Sequence, residues 1–436
     1  MNLKLMYKHI NKIIDVPLEL QIIICSFLST KYMLKLSTTC KYLYYKLLND
    51  SENMKQHIFK LRTDIQNIEI FEKLPYKVYN LNFNRNPYIG EKDFKYLKGI
   101  HSLNISNCNQ NSITDKAFEN LKGIYSLNIS NCRQISNSHF KYLKGIFSLE
   151  MANCNQIYIT DKAFENLKGI YSLNMSNCNQ KTITDKAFKN LKGIYSLDIS
   201  FCNQNSITHK AFTYLKGIHN LNMSNCNQNT INYLAFENLQ GIYSLNITSC
   251  IQITDKYFEY LKGIRILKML NCNQKTLTEN AFQNLKGIHT LDISYCTDNI
   301  TDKFFVYLKG IHDLDMSYCN QYRITDKAFE HLKDIHTLNI TGCNQYSITD
   351  KAFEYLKNTK VLHMENCNQK TITDKAFIHL SNINTLSLKN CNQHTITDNI
   401  FQYLKNIHIL NIKNCRQNIT TYPILNNLTH IHTLIV

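Results

Sequence analysis

The sequence has no tryptophan, only four prolines and twelve glycines in 436 residues. It has no long apolar run near its start. Met1-Asn2-Leu3-Lys4-Leu5-Met6-Tyr7-Lys8-His9 contains no hydrophobic signal-peptide core, and Ile22-Ile23-Ile24-Cys25 is far too short to span a bilayer. No C-x-x-C pair occurs and no histidine keeps register with the cysteines, which argues against a metal ladder. A glycine-rich phosphate loop, H-E-x-x-H and G-x-S-x-G are all missing, so no catalytic centre is expected.

What the chain does have is a beat. Fourteen of its sixteen cysteines, from Cys108 and Cys132 through Cys391 and Cys415, recur every 24 residues, with two gaps of 22 and one of 23. A period in this range means stacked supersecondary units. Each period shares one grammar. Leu121, Ile124, Leu127, Ile129 and Cys132 give L-x-x-I-x-x-L-x-I-x-x-C, and Ser126-Leu127-Asn128-Ile129-Ser130 alternates as a strand with one buried face. Asn and Gln after the cysteine predict a loop. In Ile159-Thr160-Asp161-Lys162-Ala163-Phe164, Thr160 suits a helix N-cap and Asp161 the positive end of the dipole. Ala163, Phe164 and Leu167 fall on one helical face. Glycine then closes the helix, from Gly99 to Gly310. In the last four repeats Asp334, Asn358, Asn382 and Asn406 fill that slot, so a left-handed C′ residue is expected throughout.

Residues 74–436 resemble the cysteine-containing subfamily of leucine-rich repeats. That resemblance implies an α/β solenoid: a curved array with parallel strands on the concave face and short helices on the convex one. The cysteines read as buried small thiols that mark the end of each strand. One cysteine per repeat leaves no partner for a disulfide, and unpaired thiols suit a reducing, cytoplasmic address. Sequons such as Asn128-Ile129-Ser130 on the strand face point the same way, since glycans there would block it.

The first fifty residues break the pattern. Asp15-Val16-Pro17-Leu18-Glu19-Leu20 opens a helix, and Leu20, Ile23, Ile24, Phe27 and Leu28 give it one apolar face. Pro17, Glu19, Leu20, Ile24, Leu28, Leu34, Leu36 and Cys40-Lys41 resemble an F-box. Val16 and Lys31-Tyr32-Met33 depart from the family pattern, and its tryptophan is missing. The resemblance implies an all-α domain over 8–50, in which Pro17, Leu20, Ile24, Leu28 and Leu36 touch a Skp-family adaptor. A helical linker or cap is expected over 51–73. F-box plus leucine-rich repeats resembles the substrate receptors of Skp–cullin–F-box ubiquitin ligases, whose catalysis is proximity and whose chemistry belongs to partner subunits. The alternative is a repeat scaffold whose N-terminus only caps the array. Abundant Asn, Ile, Lys and Tyr, with near-identical repeats, resemble repeat proteins encoded by large AT-rich DNA viruses.

The net charge is +16. Lys98, Lys122, Lys144 and their equivalents sit at helix C-termini, where cations complement the dipole. Lys116 and its equivalents are expected to pair locally with acids such as Asp115 and Glu119. This is a solvated ridge rather than a phosphate-binding stripe, so nucleic acid is not the expected partner. No cofactor is implied. On the strands, the outward slots are mostly Ser, Asn and Thr, as in Ser102-Asn104-Ser106. Departures mark candidate target contacts: Ile266, Lys268 and Leu270, then Asp292, Tyr295, Asp313, Asp315 and Tyr318, the last five expected to form one acidic-aromatic patch.

Overall fold

A computed structural model describes residues 60–62, 80–296, 300–415 and 431–435. The F-box-like stretch 8–50, with Pro17, Leu20, Ile24, Leu28 and Leu36, lies outside them. The chain divides into two compact units, Met1–Leu191 and Lys192–Val436.

Both units are built from the same leucine-rich turn. In the first, strands Lys60–Arg62, Asn80–Asn82, Ser102–Asn104, Ser126–Asn128, Ser148–Glu150 and Ser172–Asn174 pair parallel in sequence order, with Leu61, Leu81, Leu103, Leu127, Leu149 and Leu173 in register. The second runs from Ser196–Asp198 to Thr433–Ile435 in the same manner, with Leu197 through Leu434 aligned. Lys60–Arg62 is a strand, where a helical linker was expected. Its leucine simply continues the row one turn earlier.

The strands are three residues long, and in those from Asn80–Asn82 to Ile409–Asn411 the central leucine is buried. Leu103, Ile105, Cys108, Ile113, Phe118, Leu121 and Ile124 are all buried, and the same set recurs turn after turn. Phe118, Phe164, Phe188 and their equivalents are fully buried under the helices, so truncating one to alanine would cost about 3–5 kcal/mol. A single turn cannot enclose such a face; stacking encloses it.

The helices are one turn long, for instance Asp161–Phe164 and Asp185–Phe188, and several continue as 3₁₀ turns such as Glu165–Leu167. Thr160 and Thr184 cap them by accepting the N–H groups of Lys162 and Lys186. The N1 aspartate does more than face the dipole. Asp161 accepts both the backbone N–H and the hydroxyl of Thr184, the next N-cap, each at 2.7 Å. Asp302–Thr325, Asp326–Thr349, Asp350–Thr373 and Asp374–Thr397 repeat the bond in the second unit. The loops are laddered as well. The Gln156 amide donates to the Cys132 carbonyl at 2.7 Å, and Asn155 accepts from the Asn179 N–H at 2.6 Å. Asn-Gln loops that look merely polar in sequence are thus the glue between turns.

Gly99 through Gly310 do adopt a left-handed backbone. Asp334, Asn358, Asn382 and Asn406 do not, contrary to expectation. The three asparagine amides take another task. Asn358, Asn382 and Asn406 donate to the carbonyls of Lys333, Lys357 and Ser381, one turn back, at 3.1, 3.1 and 2.9 Å.

Candidate functional site

The fourteen cysteines are free and buried. Each thiol for which a bond is resolved donates to a carbonyl one turn earlier: Cys132 to Ile105 at 3.1 Å, Cys319 to Ile293 at 3.2 Å, Cys343 to Met316 at 3.2 Å. Burial pushes the Cys132, Cys250 and Cys319 thiols up to about 12, outweighing the backbone hydrogen bonds that oppose it. These are protonated fillers, inert as nucleophiles.

The residue just before each cysteine is left-handed, which the sequence pattern did not reveal. Asn107, Asn131, Asn153, Asn177, Asn225, Asn271, Asn366, Asn390 and Asn414 have φ of 55–61°. Asparagine tolerates this region better than other side chains with a Cβ. Phe201, Ser249, Tyr295 and Tyr318 hold the same slot at 59°, 56°, 56° and 58°, and Gly342 at 68°. An aromatic ring there is strained relative to the repeat's own consensus.

In the second unit two such rings meet. Tyr295 and Tyr318 stack with centroids 4.5 Å apart and planes 18° apart. The next slot makes room for them: a Cβ on Gly342 would lie 2.6 Å from the Tyr318 ring. Tyr295 is 45% exposed and Tyr318 is half-buried. Partial desolvation first, then the Tyr318 hydroxyl and the Asp315 carboxylate, raise the Tyr295 phenol above its ordinary range.

Asp292 and Asp315 are register partners on adjacent strands, and Lys268 is the register partner of Asp292 on the other side. Each aspartate folds back on its own chain. Asp292 Oδ1 accepts from the Ser294 N–H at 3.0 Å and its hydroxyl at 2.5 Å; Asp315 Oδ1 accepts from the Ser317 N–H at 2.9 Å. Asparagines make this bond in other turns, as Asn128 does to Ser130 and Asn246 to Thr248. The third slot of the expected outward ladder is outward only in part: Ser106, Ser294 and Ser317 are buried against that turn, whereas Ser130 and Ser176 are half-buried and Lys413 is exposed. Leu270 shares that slot and is half-buried; Ile266 is half-buried and Lys268 exposed.

Asp313 lies in another row, paired with Thr290 rather than with an acid. His312 Nδ1 is 2.9 Å from its Oδ1, and the Thr290 hydroxyl donates to Oδ2 at 3.2 Å. Burial pushes the Asp313 carboxyl up, but hydrogen bonds from Thr337 and His312 outweigh it and hold the group below the usual carboxylate range.

His312 belongs to a column seven residues before the cysteines, and this overturns the expectation that no histidine keeps their register. His101, Tyr125, Phe147 and Tyr171 stack at 4.5 Å intervals in the first unit. In the second, Tyr195, His219 and Tyr243 stack at 4.4 and 4.5 Å, and His289, His312 and His336 at 4.6 Å. Tyrosine, phenylalanine and histidine share the slot, so no single letter repeats. Donor atoms of His289, His312 and Asp313 lie within 4.8 Å of one another. The two rings are nearly parallel, at 16°. Their in-plane lone pairs therefore run side by side rather than converging, and the trio as arranged is not a ligand set.

The lysine ridge is only partly paired. Asp115 bonds Lys141 of the following turn at 3.2 Å rather than Lys116, and Glu119 bonds Lys122 at 3.1 Å. Both pairs are exposed and contribute little. Among the described residues no helix is long and apolar enough to cross a membrane.

Comparison with known proteins addresses the fold. The chain is similar to the chain of the glycosylated Toll–Spatzle complex from Drosophila, with a TM-score of 0.58 and 16% identity over 82% of this chain and 51% of that one. It is similar to the chain of the TLR13–ssRNA13 complex, with a TM-score of 0.58 and 18% identity over 85% of this chain and 58% of that one. The chain spans little more than half the length of these solved chains, and such identities show likeness of fold alone. No curated protein matches it significantly. The profile of the BspA type leucine rich repeat region matches in six copies, over residues 71–195, 134–265, 181–312, 229–360 and 322–435. With that coverage added to the parallel three-residue strands and the left-handed turns, the chain belongs to the BspA type leucine-rich repeat family.

Proposed function

We propose that this chain is a non-catalytic interaction scaffold that holds a target protein on the strand face of its second unit, around Tyr295 and Tyr318. One observation carries this: two aromatic rings occupy a left-handed slot that asparagine fills more cheaply, and they stack in partly exposed positions. The two similar solved chains come from complexes with a ligand, Spatzle in one and ssRNA13 in the other, which supports a binding role. The buried protonated thiols fit a chain without nucleophilic chemistry and with a reducing, cytoplasmic address.

Proximity labelling in cells tests this, with the native chain against Tyr295→Asn/Tyr318→Asn. The native chain should enrich a set of proteins that the variant loses. An unchanged set removes the patch from the function.

A second reading rests on the motif at Pro17, Glu19, Leu20, Ile24, Leu28, Leu36 and Cys40-Lys41. It makes the scaffold a substrate receptor of a Skp–cullin–F-box ubiquitin ligase, docked through Pro17, Leu20, Ile24, Leu28 and Leu36 on a Skp-family adaptor. Ile24→Asp/Leu28→Asp should then abolish co-purification of the adaptor. If the native chain brings down no adaptor, the N-terminus is not an F-box in function.

A further inference from the structure

The tyrosine stack carries information about what lies on it. Asp292 and Asp315 face each other on adjacent parallel strands, and like charges directly opposite one another are destabilising. The turn geometry does not require the charge, since asparagine makes the same bond in neighbouring turns. Where asparagine follows aspartate, its amide satisfies the second oxygen: Asn222 donates to Asp198 Oδ2 and Asn339 to Asp315 Oδ2, each at 2.8 Å. Asp292 has a carboxylate where that amide would be. Its Oδ2 has no hydrogen-bond partner among the described residues, and neither Asp292 nor Asp315 has an ion-pair partner within 4.0 Å there. The exposed Tyr295 ring stands close enough to Asp315 to feel its charge.

We propose that an extended segment of the target protein crosses these strands, placing an arginine or lysine between Asp292 and Asp315 against the Tyr295 ring and an acidic residue over Lys268. This rests on the target-binding role given above to the same face. The charge pattern selects the occupant. A cation relieves the repulsion of the aspartate pair and gains an aromatic face. A guanidinium also offers paired donors to the two carboxylates. The spacing fits an extended chain. Strands stand about 4.8 Å apart, so Lys268 is about 7 Å from the midpoint of Asp292 and Asp315. Two residues of an extended segment span about 7 Å. The expected signature is a basic and an acidic side chain separated by one residue.

A display library of random heptapeptides, selected on the purified full chain, tests the proposal. Two control chains return the patch to the repeat's own consensus and so should fold: Tyr295→Asn/Tyr318→Asn and Asp292→Asn/Asp315→Asn. Selection on the native chain should enrich peptides with Arg or Lys two residues from Glu or Asp at least tenfold over either control. Peptides lost on the tyrosine control but kept on the aspartate control would overturn the cationic occupant while leaving the face as a binding site. Peptides kept on both controls would remove the face itself. No enrichment at all counts against the proposal, and enrichment of sequences without a basic residue does the same.

Discussion

Tyr295 and Tyr318, 23 residues apart in sequence, stack at 4.5 Å from backbone positions that are both left-handed. The fold imposes that backbone before every one of the fourteen cysteines of the repeat, and nine of those turns answer it with asparagine. Two aromatic answers in consecutive turns, followed by a glycine that leaves space for the second ring, make a local exception with its own internal logic. Strain of this kind gathers where a surface is used.

Returning both tyrosines to asparagine should leave stability nearly unchanged. An ordinary side chain in the left-handed region costs roughly 1–2 kcal/mol, which asparagine reduces. The lost ring pair is worth about 0.5–1.5 kcal/mol. These terms oppose each other at similar size. Urea unfolding of Tyr295→Asn/Tyr318→Asn should therefore stay within about 1 kcal/mol of the native chain. A loss above about 3 kcal/mol would mean that the stack is part of the core.

Gly342 and Tyr318 should be energetically coupled. A Cβ at residue 342 meets two ring carbons of Tyr318 at 2.6 Å, and φ there is +68°. Gly342→Ala should cost about 2–4 kcal/mol in the native chain, from overpacking plus backbone strain. With Tyr318→Asn already present the clash is gone and only the backbone strain remains. A double-mutant cycle should give a coupling of at least about 1 kcal/mol. Additive losses would show that the ring moves aside freely.

The aspartate ladder makes a local prediction. Asp350 accepts two bonds of 2.7 Å from Thr373, one from the backbone N–H. Asp350→Ala strands that N–H at the junction of two turns and should cost about 1–3 kcal/mol. Asp350→Asn keeps one accepting oxygen and should cost less. Because each turn contacts only its neighbours, the effect should be local. Hydrogen exchange should accelerate at the Thr373 amide and stay unchanged in the first unit; a uniform change would argue against a junction role.

The sequence makes the buried half of this fold legible because each buried slot accepts one chemistry. Leu127, Cys132 and Phe118 recur as letters, and the Ile129 slot of the cysteine repeats holds only Ile, Met or Leu, so their phase and inward direction can be read directly. Slots that accept several side chains hide. The ring column is Tyr125, Phe147 and Tyr171 in one unit and His289, His312 and His336 in the other, since any flat ring can stack there. The left-handed slot before each cysteine hides for another reason: its commonest residue, asparagine, is also an ordinary loop residue. Asn358 shows the reverse error, a residue able to be left-handed in a slot where the chain found a different bond. Phase alone placed Tyr295 and Tyr318 in adjacent turns. Their ring contact, and the seat that the missing Cβ of Gly342 leaves for the Tyr318 ring, depend on the left-handed backbone of this slot, which the letters do not show.

The thiol column should make the protein sensitive to alkali. Burial holds Cys132, Cys154, Cys250, Cys319 and Cys367 at about 12, whereas an unfolded thiol ionises near 8.5. The folded value is raised, so the stabilisation is complete below pH ~8.5 and is lost as pH rises towards about 12. Above ~8.5 each thiol that ionises only on unfolding removes about 1.4 kcal/mol per pH unit. Several act together, so the urea midpoint should fall steeply between pH ~8.5 and ~10, before tyrosine and lysine ionisation contributes fully. Serine in place of Cys154, Cys250 and Cys319 keeps a hydrogen-bond donor but cannot ionise in this range. The triple variant should be less stable at pH 7 yet lose stability less steeply above pH ~8.5. In the native chain at pH 7 the same three thiols should resist a disulfide-exchange reagent until urea opens the fold. An equal slope in the two chains, or rapid labelling of these cysteines without urea, would mean that the column is not buried as the structure has it.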